Sequence, residues 1–311
     1  MIKRFVLKSV IFFIPLLLGL GCLELLVRRI PNEYSFKWKT IDMRCSDIET
    51  LVLGNSQLFY GVDTDVLGPT AFNMANVSQT LKYDDYVVTC FGAHLTRLRQ
   101  VILPLSYFSL VSSLESGDEA WRGKNYRIYW KHPDGWPIQR NMEILNGTAL
   151  VIKRIYGFYL RGNTGITCSA TGFGLTYRCD RRPANWESTG AAAARRHTVR
   201  VHDTKILREN VSHVKSIIEK CRAKGVHVTL VLPPAWETYA EKLDPSQLQA
   251  AIITGEELAR EPGVTYVNLL QDPRFTADDF YDADHLNEVG ARKLARLLTE
   301  DVTGRHGKKL D

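Results

Sequence analysis

The stretch Leu51-Val52-Leu53-Gly54-Asn55-Ser56-Gln57-Leu58 is an apolar run that stops at a glycine and then presents a serine. A short apolar run ended by glycine reads as a buried strand followed by a tight turn. Far downstream, Phe280-Tyr281-Asp282-Ala283-Asp284-His285-Leu286-Asn287 sets a carboxylate three positions before a histidine. On a tight loop that spacing lets Asp282 curl back onto Nδ1–H and fix the tautomer that leaves Nε2 free as a base. Brought together by the fold, the two segments would supply Ser56 as nucleophile, His285 as base and Asp282 as the group that orients it. Asp284, next to the histidine, is expected to point elsewhere. Asp278, Asp279, Asp282 and Asp284 also fit a solvated acidic turn that caps a helix. A metal site is the weaker reading, because His285 is the only nitrogen donor and the spacing matches no helix-borne metal motif. No metal and no cofactor are expected.

Outward from Ser56, strands and helices alternate. Thr70 to Ala75 reads as a second short strand, and Tyr83 to Leu98 as an amphipathic helix with apolar residues three and four apart. His94 falls on that apolar face and is expected to be a satisfied core histidine. Val101 to Leu105 gives a third strand. After Asp203 come a helix to about Ala223, a strand over Val226 to Leu232, a helix over Gln247 to Arg260, a strand over Val264 to Leu269 and a closing helix over Val289 to Val302. Such alternation implies an α/β three-layer sandwich with a mostly parallel sheet. Ligands bind at the carboxyl ends of the strands in open sheets of this kind, where Ser56 stands.

Two segments depart from the alternation. Residues 111–200 hold Trp121, Trp130, Trp136, Trp186 and several tyrosines without a strand-helix pattern, and read as an insertion. Those aromatic rings fit either a second small core or a platform for sugar rings. Residues 1–30 include SVIFFIPLLLGLGCLELLV from Ser9 to Val27, broken only by Glu24. About 20 apolar residues suffice to cross a bilayer core; Lys3, Arg4 and Lys8 ahead of the run favour the N-terminus inside, and Arg28 and Arg29 on its far side count against that orientation. The apolar core is longer than a signal peptide usually has and no small-residue cleavage site is clear, so an uncleaved single-pass anchor is expected. Gly19-Leu20-Gly21-Cys22 is a poor lipoprotein site, since Gly19 stands where a larger aliphatic residue belongs. Residues 31–48 read as a linker, and 49–311 as one α/β domain carrying the insertion.

Composition narrows the partners. The chain is 311 residues, 45% hydrophobic and 24% charged, enough for a sizeable core. Its net charge of +6 is unclustered, with Arg195-Arg196 and Lys308-Lys309 only pairs, so nucleic acid is not an expected partner. None of the six cysteines forms CxxC, which speaks against a structural zinc site. In an oxidising compartment Cys168 and Cys179 could close a loop in a glycine-rich region.

The blocks LVLGNSQLFYGVD, FNMANVSQTLKYDDY, VILPLSYFSL, LVLPP and FYDADHLNEVGARKLA occur in this order. Together they resemble the SGNH (GDSL-like) hydrolases, and more closely the membrane-anchored bacterial branch associated with cell-surface polysaccharide acylation. The resemblance covers residues 49–110 and 203–299 and leaves the insertion unmatched. It implies a Ser56-His285-Asp282 triad acting on acyl esters, with hydrolysis when water accepts the acyl group and transfer when a sugar hydroxyl does. The oxyanion donors it implies begin with the Ser56 amide. The family's glycine donor maps to the Asn76-Val77-Ser78 turn, which has no glycine, and its asparagine donor to Ser106-Tyr107; Asn76 is the substitute to consider. The expected substrate is an acylated glycan and the expected setting a bacterial inner membrane, domain outside, with a membrane acyltransferase as candidate partner. The alternative is a non-catalytic carbohydrate-binding or assembly protein that keeps the fold.

Overall fold

A computed structural model of the chain describes residues 2–133, 141–146, 148–199 and 204–306. In chain order its elements begin with α1 (Ile2–Arg29), α2 (Glu33–Arg44), β1 (Thr50–Val52), α3 (Ser56–Phe59), α4 (Thr64–Leu67), β2 (Ala71–Asn73), α5 (Leu81–Phe91) and β3 (Gln100–Pro104). The insertion contributes α6 (Gly123–Tyr129), α7 (Thr148–Arg161) and α8 (Gly190–His197). There follow α9 (Thr204–Arg222), β4 (His227–Leu232), α10 (Glu237–Ala240), α11 (Pro245–Leu258), β5 (Val264–Asn268), β6 (Phe280–Asp282), β7 (His285–Leu286) and α12 (Glu288–His306). The chain divides into two compact units, Met1–Trp38 with Asp118–Ile166, and Lys39–Gly117 with Thr167–Asp311.

The larger unit is the α/β fold. Its five-stranded sheet runs β2-β1-β3-β4-β5, with every neighbouring pair parallel. Parallel strands need both faces covered, which explains their near-continuous apolar sequences. Leu51, Val52, Val101, Ile102, Leu103, Leu230 and Val231 are fully buried. Each such side chain contributes about 1.5–3 kcal/mol relative to exposure. On α9, Val214, Ile217, Ile218 and Cys221 recur at helical spacing and are buried, as are Ala291, Leu294, Ala295 and Leu298 on α12. The strand order reverses direction between β1 and β3, so a crevice opens at the carboxyl ends of these two strands.

Several local expectations are corrected. The helix read over Tyr83 to Leu98 ends at Phe91, where Gly92 begins a run of turns. His94 therefore lies past the helix and is exposed, not in the core. Residues 31–48, read as a linker, hold α2, on which Tyr34 and Ile41 are buried. Cys168 and Cys179 are both free thiols; Cys168 is buried, and the Cys179 Sγ–H faces Glu288 Oε1 at 3.2 Å. Asp203 and Lys308-Lys309 lie outside the described residues.

In the smaller unit, α1 is long and apolar enough to cross a membrane. Its last turns are packed: Val27 and Ile30 are buried with Ile144 and Val151. The Glu24 carboxylate accepts the backbone N–H groups of Glu143 and Ile144, each at 3.0 Å. The Glu143 carboxylate is itself buried, taking Lys124 Nζ at 2.6 Å, Arg154 at 3.0 Å and the Tyr129 hydroxyl at 2.7 Å. Trp130 is fully buried, its indole N–H donating to the Tyr34 carbonyl at 3.1 Å and its ring stacked on Trp38.

Candidate active site

Ser56 is held by the turn that follows β1. Gly54 has φ +111°, and a Cβ built there would lie 2.1 Å from Cγ of Pro104 at the end of β3. Glycine is thus required twice, by conformation and by contact. The Gly54 N–H donates to Asp84 Oδ1 at 2.8 Å, and the Gly54 carbonyl accepts the Asn76 N–H at 3.0 Å. Asn55 then caps α3, its Oδ1 accepting the Gln57 N–H at 2.9 Å. Ser56 becomes the first helical residue, where an amide has no partner within its helix. Among the described residues the Ser56 amide makes no hydrogen bond to the protein.

His285 and Asp282 arrive on an antiparallel hairpin. The β6–β7 register pairs Asp282 directly with His285 across the turn at Ala283 and Asp284. The three-residue spacing is therefore the spacing of a hairpin pair. Asp282 Oδ1 lies 2.9 Å from His285 Nδ1, and His285 Nε2 lies 2.9 Å from Ser56 Oγ. With Nδ1–H donating to the carboxylate, Nε2 is the nitrogen presented to the serine. The hairpin is tied to the serine turn by Gln57, whose Nε2 donates to the Asp284 carbonyl at 3.3 Å. Asn287 fixes its other end, donating to the carbonyls of Asp278 and Phe280 while its Oδ1 receives the N–H groups of Val289 and Gly290.

Asp284 does not point away. It is 2% exposed, and its Oδ2 lies 3.5 Å from His285 Nδ1. Burial lowers the pKa of His285, but the charges of Asp284 and Asp282 outweigh it and raise the imidazole to about 9. Burial raises Asp284 itself to about 6, against the charge of His285. Asp282 is held below the ordinary carboxylate range: burial raises it, and the charge and hydrogen bond of His285 lower it further. A second histidine stands behind Asp284. His197 Nδ1 is 4.0 Å from Asp284 Oδ2 and 2.9 Å from the Tyr239 hydroxyl. Burial, then the His285 charge, pushes His197 down to about 3, so it is neutral.

Aromatic rings line the other side of the His285 imidazole. Tyr60, Tyr177 and Tyr281 stack with centroids 3.8 and 4.0 Å apart, and Tyr177 meets the imidazole edge-on at 5.3 Å. Tyr177 is the insertion residue whose ring reaches His285. Trp130 and Trp186 are buried in local cores instead, Trp186 against Trp236 and Phe280. Trp121 is exposed, and Trp136 lies outside the described residues.

Asn76 is committed to its own turn. Its Nδ2 donates to the Met74 carbonyl at 3.2 Å and to Gln79 Oε1 at 3.1 Å, leaving neither amide hydrogen for a ligand. Ser106, at the end of β3, accepts from Asn55 Nδ2 at 3.3 Å and shares a 2.7 Å hydrogen bond with Ser109. The ligand atoms of Asp282, Asp284 and His285 lie within 4.8 Å of one another, close enough to hold a cation. However, His285 Nδ1 already faces Asp282 and Nε2 faces Ser56, so the ring offers no free lone pair to an ion.

Asp284, Gln57, His197 and Tyr177 were not singled out from sequence as site residues. Gln57 and Tyr177 carry no spacing signal, since each meets the site through tertiary contact. Asp284 carried one: a two-residue hairpin turn brings its second member back beside the strand it begins.

No family model matches the chain, and no curated protein matches it in sequence. Among solved structures the chain is similar to one described as an acylhydrolase from Bacteroides fragilis, at 10% identity and TM-score 0.39, over 83% of this chain and 87% of that one. It is similar to one described as a platelet activating factor from Streptococcus pneumonia, at 11% identity and TM-score 0.43, over 86% and 91%. A third, described as a GDSL-like lipase from Bacteroides thetaiotaomicron, matches at 11% identity and TM-score 0.41, over 87% and 99%.

Proposed function

We propose that the chain is a serine esterase or O-acyltransferase of the SGNH (GDSL-like) type, anchored in a bacterial inner membrane and acting outside it on acyl esters of surface carbohydrate. The observation that carries this reading is the pair of 2.9 Å contacts through which His285 joins Ser56 to Asp282. In the first half-reaction Ser56 Oγ attacks the acyl carbonyl while His285 Nε2 takes its proton. The tetrahedral oxyanion collapses, the sugar oxygen leaves with the proton from His285, and the acyl group stays on Ser56. Water, deprotonated by His285, then releases the acid and restores the serine. For transfer, a membrane acyltransferase partner presents the acyl ester that Ser56 attacks, its alcohol leaving with the proton from His285; a sugar hydroxyl then takes the place of water, giving its proton to His285 as the acyl group moves to the sugar oxygen and Ser56 is restored. The Ser56 amide, without a partner in its own helix, is the oxyanion donor, and one such donor is worth about 3 kcal/mol in the transition state.

The anchor supports the setting. Lys3, Arg4 and Lys8 precede the span and outnumber Arg28 and Arg29 after it, which favours the domain outside. The contacts of Glu24 with the amides of Glu143 and Ile144 make the end of α1 part of the folded unit, which favours an uncleaved helix.

Asn76 favours a second reading. With its amide hydrogens committed inside the turn, the oxyanion site has fewer donors than the family pattern implies, as suits a carbohydrate-binding or assembly protein that keeps the fold. The two readings separate in an assay of the full chain and its Ser56→Ala variant on small acetyl esters and acetylated glycans. Turnover by the parent and not by the variant supports the enzyme. Equal glycan binding by both, with no turnover by either, supports the binder.

A further inference from the structure

Helix α7 has two apolar faces. Val151, Ile155 and Phe158 close on Val27 and Ile30 at the end of α1. Ile152, Tyr156, Tyr159 and Leu160 are exposed, Leu160 to 72%. At helical spacing these four fall within an arc of about 100°, the width of a face that ordinarily packs against something. Lys153 borders the arc, and the Arg161 guanidinium lies over the Tyr156 ring.

What covers this face follows from its neighbour. α1 has 28 residues and is about 42 Å long at 1.5 Å per residue, longer than a bilayer core of about 30 Å. Its Leu16, Leu17, Leu18 and Leu25 are exposed, so its apolar surface runs toward the end on which α7 packs. The Tyr159 hydroxyl donates to the Leu26 carbonyl at 3.1 Å, which joins the exposed face of α7 to α1. Tyrosines, an apolar arc and basic residues at its edge are the composition of a helix lying in the headgroup region.

We propose that α7 is an interfacial helix whose Ile152, Tyr156, Tyr159 and Leu160 enter the outermost acyl chains beside α1, with Lys153 and Arg161 among lipid phosphates. This rests on reading α1 as a membrane span. The helix then fixes the height of the smaller unit above the bilayer by a second attachment besides α1.

The test is photo-cross-linking of the full chain in nanodiscs of phosphatidylethanolamine and phosphatidylglycerol. Benzoylphenylalanine replaces, one at a time, Phe12 in the span, Ile152 and Leu160; all three are exposed, so the substitutions disturb no core. Lipid adducts at Ile152 and Leu160 within a few-fold of the yield at Phe12 are expected. Adducts at Phe12 with none at Ile152 and Leu160 overturn the interfacial helix and leave the span intact. Cross-links from Ile152 or Leu160 to a second copy of the chain overturn it in favour of self-association. No lipid adduct at Phe12 overturns the span and this inference with it.

Discussion

The carboxylate of Asp284 turns back on the residue that follows it, with Oδ2 3.5 Å from Nδ1 of His285, while Asp282 holds the 2.9 Å hydrogen bond to the same nitrogen. Two negative charges thus face one imidazole. They favour its charged form and, against burial, raise the imidazole to about 9. A general base works only when neutral.

The pH dependence follows with a definite sign. In the parent, kcat/KM on an acyl ester rises with pH through a limb near 9. Asp284→Asn removes one of the two charges that raise the imidazole, which lowers its pKa and moves the limb toward neutrality. A pH profile of the two proteins checks this. An unmoved limb would show that Asp284 does not govern the base.

Gly54→Ala places a Cβ against the Pro104 ring on a backbone at φ +111°. So sparsely populated a conformation costs about 1–3 kcal/mol for an L-residue, and forcing the contact costs about 1–3 kcal/mol more. A drop in the denaturation midpoint is expected, together with loss of activity, because the same turn carries Ser56. Chemical denaturation followed by circular dichroism measures it.

Glu143→Ala leaves Lys124 buried without the carboxylate 2.6 Å away, at a cost of about 3–5 kcal/mol. Burial raises the Glu143 pKa, but Lys124 and Arg154 together hold it below its ordinary value. A depressed carboxylate contributes stability that is present above the ordinary range and is lost as pH falls through the folded value. The parent therefore loses stability in the smaller unit on acidification, and the variant loses less. Hydrogen exchange in α6 and α7 at several pH values reads the difference.

The strands were readable because a buried parallel sheet writes itself as continuous apolar runs, and Leu51 to Leu53 and Val101 to Leu103 are such runs. The Asp282–His285 pair was readable because a hairpin fixes its own spacing. Helix α2 was not, since it buries Tyr34 and Ile41 among polar residues that show no clean period. The exposure of His94 is not legible in the sequence, because the apolar spacing continues through Leu95 and Leu98 after Gly92 ends the helix. The commitment of the Asn76 side chain depends on Gln79 folding back to it, which spacing alone does not reveal.

Activation of Ser56 by His285 is what every step of the proposed chemistry depends on. Mass spectrometry of the intact chain and its peptides after treatment with a fluorophosphonate tests it most directly. The reagent phosphonylates an activated serine with loss of fluoride. One adduct is expected, on the peptide carrying Ser56, forming faster as pH rises toward 9 and absent in Ser56→Ala and His285→Ala. A folded parent that takes up no label at Ser56 across that range would contradict it.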